Sequence, residues 1–263
     1  MEFADNVTQA VLEAGKAVLD VYGTDFTVVS KEDCSPLTEA DRRAHEILSA
    51  ALKEYYPVLS EERDTIPYST RRNWNMYWLI DPLDGTKEFV KRNGEFTVNV
   101  ALIENGVPVA GWVYAPVKDL LYVGMQEKGA WRVEKALRGY GLGAAKKPLP
   151  LAEGLRPFTL VASRSHLNEA TAEYIAELER EHPDAERISA GSSLKLCMVA
   201  EGSADIYPRF APTMEWDTAA ADAVCRAAGC SVLQWSGEKD RPDGPLVYNK
   251  ENMLNPWFLV LRD

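Results

Sequence analysis

Between residues 77 and 133, five short β-rich runs follow one another: YWLI (77–80), TVNVALI (97–103), VAGWVYA (109–115), DLLYVGM (119–125) and AWRV (130–133). Turn residues such as Asn105-Gly106 separate them, so the segment is predicted to fold as a meander-like antiparallel sheet. Two helices are predicted to precede these first strands. Phe3, Val7, Ala10, Val11, Ala14, Val18 and Val21 recur at three- and four-residue intervals, which makes one apolar helix face with Gly23 as its stop. A second amphipathic helix is predicted from about Thr38 to Tyr55, ahead of Pro57. Past the sheet the pattern changes to alternation: strand 158–162, helix 168–182, strand 187–190, helix 192–201, strand 204–207, helix 217–228, then strands 230–235 and 257–261. That order indicates an α/β lobe. The segment from Lys135 to Pro157 carries Gly and Pro without clear periodicity and is the expected joint. It divides the chain into an N-terminal α+β lobe over 1–145 and a C-terminal α/β lobe over 146–263.

With 46% hydrophobic residues in 263, there is ample material for a core, which excludes a disordered or fibrous chain. Lys and Arg number 29 against 40 Asp and Glu, a net charge of -11, and no window is rich in basic residues. A protein that tracks a nucleic-acid backbone is excluded on that ground. No apolar run approaches the roughly 20 residues that span a bilayer, and MEFADNVTQA begins acidic where a signal peptide would begin basic. The expectation is a cytoplasmic protein without a transmembrane segment, with peripheral contact at the inner membrane and oligomeric state left open. Cys34, Cys197, Cys225 and Cys230 form no CxxC pair and stand at no spacing typical of zinc, so they are expected to be reduced structural thiols. Any metal must then be held by oxygen, which points to hard cations such as Mg²⁺.

The strongest chemical signal is Asp81-Pro82-Leu83-Asp84-Gly85-Thr86, directly after the apolar run ending at Ile80. Pro82 fixes its own φ and restricts Asp81, and Gly85 permits a tight turn, so two carboxylates and an exposed carbonyl can converge on one point. An ordinary turn is the competing reading, because Asp-Pro and Asp-Gly are common turn dipeptides. Two more acidic positions stand apart in sequence. Ser60-Glu61-Glu62 reads equally well as a solvated pair, and Asp217, in Glu215-Trp216-Asp217, as a helix-capping acid.

Taken together, SEE at 60–62, DPLDGT at 81–86 and WDTAAADAVCRAAG at 216–229 resemble, in order, the signature of the inositol monophosphatase-like superfamily of Mg²⁺-dependent, lithium-sensitive phosphatases. SPLTEAD (35–41), DPLDGTKEFVKRNGEFTVNVALI (81–103), SRSH (163–166), GSSLKLCMVAEG (191–202) and YPRFAPTMEWDTAA (207–220) are similar, more narrowly, to its bacterial 3'(2'),5'-bisphosphate nucleotidase branch. The resemblance implies a layered α/β/α/β/α sandwich with a metal cluster between its lobes. It also implies hydrolysis of 3'-phosphoadenosine 5'-phosphate to AMP and phosphate, linked to sulfate assimilation.

By the same resemblance, Glu61, Asp81 and the main-chain carbonyl of Leu83 hold one Mg²⁺, and Asp81, Asp84 and Asp217 a second, with two or three ions in all and Li⁺ as an inhibitor. Activated water would attack phosphorus directly, with Asp41 and Thr86, or Glu61, as the groups that orient it and take its proton. Asp41 also fits a favourable first-turn helix acid. Main-chain N–H groups at Gly85 and Thr86 would donate to the phosphate if a helix begins there. The resemblance carries Ser192, Lys195, Arg209 and His166 over to contacts with a small nucleotide bisphosphate, and Arg164 more weakly. Lys195 and Arg209 are cationic donors suited to a second phosphate. Each has a plainer alternative: a helix cap for Ser192, a solvated cation for Lys195, an ion pair for Arg209 and a structural polar group for His166. An inositol or sugar monophosphatase with the same metal core is the rival enzyme, and a non-catalytic metal or nucleotide sensor the rival of another class. Gly139-Tyr140-Gly141-Leu142-Gly143-Ala144 fits a loose dinucleotide fingerprint, but Lys146-Lys147-Pro148-Leu149-Pro150 follows where a long helix is needed.

Overall fold

The computed structural model describes residues 3–24, 28–30, 36–62, 66–139, 145–151, 156–163, 168–237 and 243–262. In chain order the elements are α1 (Ala4–Tyr22), β1 (Val28–Ser30), β2 (Pro36–Thr38), α2 (Glu39–Leu52), β3 (Val58–Ser60), α3 (Tyr68–Arg71), β4 (Met76–Asp84) and α4 (Thr86–Val90). Next come β5 (Thr97–Glu104), β6 (Val107–Ala115), β7 (Leu120–Met125), β8 (Gly129–Glu134), α5 (Ala136–Gly139) and β9 (Lys146–Pro148). The last part holds β10 (Thr159–Ser163), α6 (Glu169–Glu181), β11 (Glu186–Ala190), α7 (Leu194–Glu201), β12 (Ile206–Arg209), α8 (Glu215–Ala227), β13 (Cys230–Gln234) and β14 (Phe258–Arg262).

The expected meander is the centre of a seven-stranded sheet ordered β3-β4-β5-β6-β7-β8-β9, antiparallel from β4 onward, with β3 added parallel to β4. A five-stranded sheet, β11-β10-β12-β14-β13, follows, and β1 and β2 pair by themselves. Strands therefore precede β4, contrary to the expectation of two helices first: β1, β2 and β3 are three residues each, too short to show a period of two. β9 lies in the segment read as a joint and carries the first sheet to Pro148, past the expected boundary at 145.

Side chains on the central strands alternate between two cores. Trp78 and Ile80 of β4, Val98, Val100 and Leu102 of β5, and Trp112 and Tyr114 of β6 pack with α1 and α2. Tyr77, Leu79, Ala101, Ile103, Val113 and Ala115 point the other way, against α7, α8 and the inner face of the second sheet. With both faces covered, the runs read as almost continuously apolar. A third core, with Leu160, Ile206, Phe210, Trp235 and Leu259, joins the outer face of the second sheet to Ile175 of α6. The layers are thus helices α1 and α2, sheet, helices α7 and α8, sheet, helix α6, which is the expected five-layer sandwich.

Two glycines set how closely α8 approaches the first sheet. A Cβ on Gly111 would lie 2.1 Å from the Ala220 carbonyl oxygen, and one on Gly124 would lie 2.5 Å from the Val224 Cα. Backbone meets backbone there, so neither contact can be relieved by a rotamer change. Cys197, Cys225 and Cys230 are buried free thiols in or beside this middle layer, and Cys34 lies outside the described residues. We expect Gly111→Ala to destabilise the metal-free protein by about 1–3 kcal/mol through overpacking. Gly23→Ala, where the new Cβ would meet only the Leu19 carbonyl at 3.7 Å, serves as the control that should not. Thermal denaturation of the two variants beside wild type measures the difference.

Candidate active site

Strand β4 does not end at Ile80 but continues through Asp84, with a register shift between Asp81, which pairs with Asn99, and Asp84, which pairs with Thr97. Pro82 and Leu83 fill the bulge, a position where a residue lacking an N–H is tolerated in a sheet. DPLD is therefore a bulged strand end rather than an ordinary turn. Asp81 is buried, and its Oδ1 accepts from the Leu83 N–H at 3.1 Å. Gly85 follows at φ +90°, and a Cβ there would stand 2.2 Å from the Ser192 Oγ. Only glycine meets both conditions. Thr86 opens α4, and its hydroxyl donates to the Leu83 carbonyl at 3.4 Å, so the carbonyl expected to bind metal is held on the bulge by the threonine expected to serve catalysis.

Asp217 comes from the first turn of α8, which begins at Glu215, two residues before the expected start. Its Oδ2 accepts from the Met214 N–H at 2.8 Å. It is a capping acid, as one reading held, and it is also part of a cluster. Asp81, Asp84 and Asp217 each offer a carboxylate oxygen, and these oxygens lie within 4.8 Å of one another. Burial first, then the charges of Glu61, Asp84, Asp217 and Asp41, push the Asp81 carboxyl well above the usual carboxylate range. Burial and the neighbouring Asp84 charge push Asp217 up to about 8. Glu61 sits just past β3, its N–H 3.4 Å from the Ile80 carbonyl oxygen. Glu61 and the buried Asp41 of α2 both act on Asp81 through their charge, but neither belongs to the tight group of three. Carboxylate oxygens without sulfur or nitrogen fit a hard divalent cation.

On the other side of the cluster, Ser192 has φ +50°, which delays the start of α7 to Leu194 instead of the expected 192. Its hydroxyl lies 2.8 Å from the carbonyl oxygens of both Asp84 and Glu95, so it is engaged with the main chain of the β4 and β5 ends. Lys195 is buried; its Nζ donates to the Ser192 carbonyl at 2.5 Å and lies 5.6 Å from the Tyr207 ring centre. Burial lowers its ammonium to about 8, with Arg209 adding to the fall and Asp84 opposing it. Arg209, at the end of β12, donates from Nη2 to the Pro212 carbonyl at 3.1 Å, while its Nε is buried with no hydrogen-bond partner among the described residues. His166 and Arg164 lie outside the described residues, as do 140–144 of the glycine-rich fingerprint.

Ser193, Asn99 and Thr97 were missed in sequence. Asp84 Oδ2 accepts from the Ser193 N–H at 2.7 Å and its hydroxyl at 2.9 Å, with Asn99 Nδ2 at 3.4 Å and Thr97 Oγ1 at 3.5 Å. A signal was available, since Thr97 and Asn99 are two polar residues on one face of an otherwise apolar strand.

A carboxylate cluster where a bulged strand end meets a capped helix, between the layers of an α/β/α/β/α sandwich, is an all-oxygen group able to hold a hard cation in a two-sheet fold. The chain belongs to the inositol monophosphatase family, whose model matches residues 2–258. It is 47% identical over 262 residues to the 3'(2'),5'-bisphosphate nucleotidase CysQ of Escherichia coli K12, covering 97% of this chain and 98% of that one. CysQ from Bacteroides thetaiotaomicron is similar in structure, with a TM-score of 0.86 at 48% identity over 98% of this chain and 97% of that one. The inositol monophosphatase of Anabaena shares the fold, with a TM-score of 0.71 at 23% identity over 99% and 90% of the two chains.

Because Asp217 binds its proton more tightly folded than unfolded, the folded state holds the extra proton between about pH 4 and its own value of about 8. Stability of the metal-free protein should therefore fall as pH rises through that window, and Asp81 acts in the same direction. Melting curves in chelator at about pH 5 and about pH 8 test this, and a divalent cation should flatten the slope by replacing the proton as counter-charge.

Proposed function

We propose that the chain is a Mg²⁺-dependent phosphomonoesterase that hydrolyses 3'-phosphoadenosine 5'-phosphate to AMP and phosphate. The observation that carries this reading is the carboxylate cluster joined by the Ser192 turn to the buried Lys195, with the buried Arg209 at the end of β12, in a chain nearly half identical, end to end, to bisphosphate nucleotidases. Asp81, Asp84 and Asp217, with Glu61 and the Leu83 carbonyl, would hold the ions. Two or three Mg²⁺ would polarise the phosphoryl group, activate water and stabilise the departing ester oxygen. Glu61, or Asp41 with Thr86, orients that water and takes its proton. The N–H groups of Gly85 and Thr86 donate to phosphate oxygens. Li⁺ is expected to inhibit by taking one of the cation positions.

Lys195 and Arg209 supply what an inositol phosphate would not need. An unpartnered buried N–H costs about 1–3 kcal/mol, and Arg209 Nε is such a group. A second phosphate supplies its acceptor and adds an anion beside Lys195, keeping that ammonium charged near neutrality. His166 is assigned to the base or ribose, and Ser192 to shaping the turn and to main-chain contact with the nucleotide.

Asp84→Asn should nearly abolish Mg²⁺-dependent phosphate release while leaving the fold intact, because size is kept and charge is lost; retained turnover would overturn the metal role. Arg209→Ala should lower kcat/KM on the bisphosphate by about 10–150-fold, the worth of one hydrogen bond to a charged group, and leave inositol 1-phosphate nearly unaffected. An equal loss on both substrates, or wild-type preference for inositol 1-phosphate, would reject the nucleotide reading.

A further inference from the structure

The Asp84 carboxylate is held from one side. Its Oδ2 takes the Ser193 N–H and hydroxyl at 2.7 and 2.9 Å, with two longer contacts from β5, whereas among the described residues no hydrogen bond reaches its Oδ1. The Ser193 Oγ is also 2.8 Å from the Asp217 carbonyl oxygen and accepts from Asn99 Nδ2 at 2.9 Å. With Asn99 on one lone pair, the single hydroxyl proton faces two acceptors, and the carboxylate is the stronger. One buried hydroxyl thus ties together the end of β4, the middle of β5 and the first turn of α8, the elements that carry Asp84 and Asp217.

Asn99 shows that this arrangement is favoured over local satisfaction. Its side chain is almost wholly buried, and its Oδ1 has no hydrogen-bond partner among the described residues. Turning the amide over would set that oxygen against the Asp84 carboxylate, acceptor facing acceptor. The orientation that leaves Oδ1 unpaired is the one that keeps both N–H bonds on Asp84 and Ser193.

We propose that Ser193 and Asn99 are positioning residues: they occupy Oδ2 so that Asp84 presents Oδ1 alone to the cation, and they fix the separation of Asp84 from Asp217. They touch neither the reacting phosphate nor the water, and their effect is on cation affinity. This inference rests on the metal reading of the carboxylate cluster.

The test is calorimetric titration of MgCl₂ into chelator-stripped full-length wild type, Ser193→Ala and Asn99→Ser, with melting curves of the same metal-free samples. Ser193→Ala should bind Mg²⁺ at least about tenfold more weakly, the usual effect of losing a group that orients a ligand, with the Mg²⁺ dependence of phosphate release shifted in parallel. Asn99→Ser should shift affinity in the same direction and stands in if Ser193→Ala does not fold. Cation affinity within about twofold of wild type in the folded variants, whether or not their metal-free melting points fall, would overturn the proposal and leave the pair a purely structural role. If wild type itself takes up no Mg²⁺, the metal reading fails instead.

Discussion

Gathering three carboxylates within 4.8 Å at the edge of a protein core opposes folding. At an effective dielectric of about 20, each fully charged pair at that separation repels by on the order of 3 kcal/mol. Nothing local to DPLD or to WDTAA relieves this; the geometry is imposed by the layers. A bulge ends β4 with Asp81 and Asp84 facing the seam. Gly111 and Gly124 let α8 settle backbone to backbone on the sheet, so that Asp217 arrives at the same point. The hydrophobic contacts of the middle layer supply the force that holds the charges together, and a cation turns their repulsion into attraction.

The same chain shows what a buried acid looks like when its task is structural. Glu215 accepts from the Asn249 and Lys250 N–H groups and pairs with Lys250 Nζ at 2.7 Å. Asp222 is met by Arg226 at 2.7 Å and by the Tyr248 hydroxyl at 2.8 Å, and Glu201 by Arg132 at 2.6 Å and the Tyr122 hydroxyl at 2.8 Å. All three carry a cation of this chain within bonding distance. Among the described residues, the hydrogen-bond partners of Asp81, Asp84 and Asp217 are N–H, amide and hydroxyl groups instead. Glu215 and Asp217 are separated by one residue on α8, the first buried and the second half-buried, and the kind of partner distinguishes them further. Lysine on Glu215 locks the helix to the loop before β14, while among the described residues Asp217 has no cation of this chain within hydrogen-bonding distance.

Much of this was legible in the sequence because it depends on local pattern. The near-continuous apolar runs of β4 to β8 and the apolar faces of α1 and α2 mark the elements of the first sheet and its covering helices, and DPLDGT and WDTAA mark the two ends that meet. What was not legible depends on which neighbour arrives. Ser192 and Ser193 are adjacent and chemically identical, and sequence reasoning chose the first for the substrate. In the fold, φ +50° at Ser192 turns its hydroxyl to the carbonyls of Asp84 and Glu95, while Ser193 reaches the Asp84 carboxylate. The three-residue strands β1, β2, β3 and β9 carry too little pattern to be seen, and β3 exists because β4 offers it an edge.

The GSSLK turn also explains how the carboxylate cluster and Lys195 are kept in one frame. Gly85 and Gly191 lack the side-chain atoms that would hold the two turns apart: a Cβ on Gly191 would lie 2.6 Å from the Glu95 carbonyl oxygen. Across that contact Ser192 Oγ reaches the Asp84 carbonyl, and Lys195 Nζ reaches the Ser192 carbonyl. The route from the end of β4 to the Lys195 ammonium is therefore two hydrogen bonds long, each a side-chain donor on a main-chain carbonyl. The N-terminal and C-terminal halves of the chain contribute one side each, and the close glycine contact between them keeps the spacing.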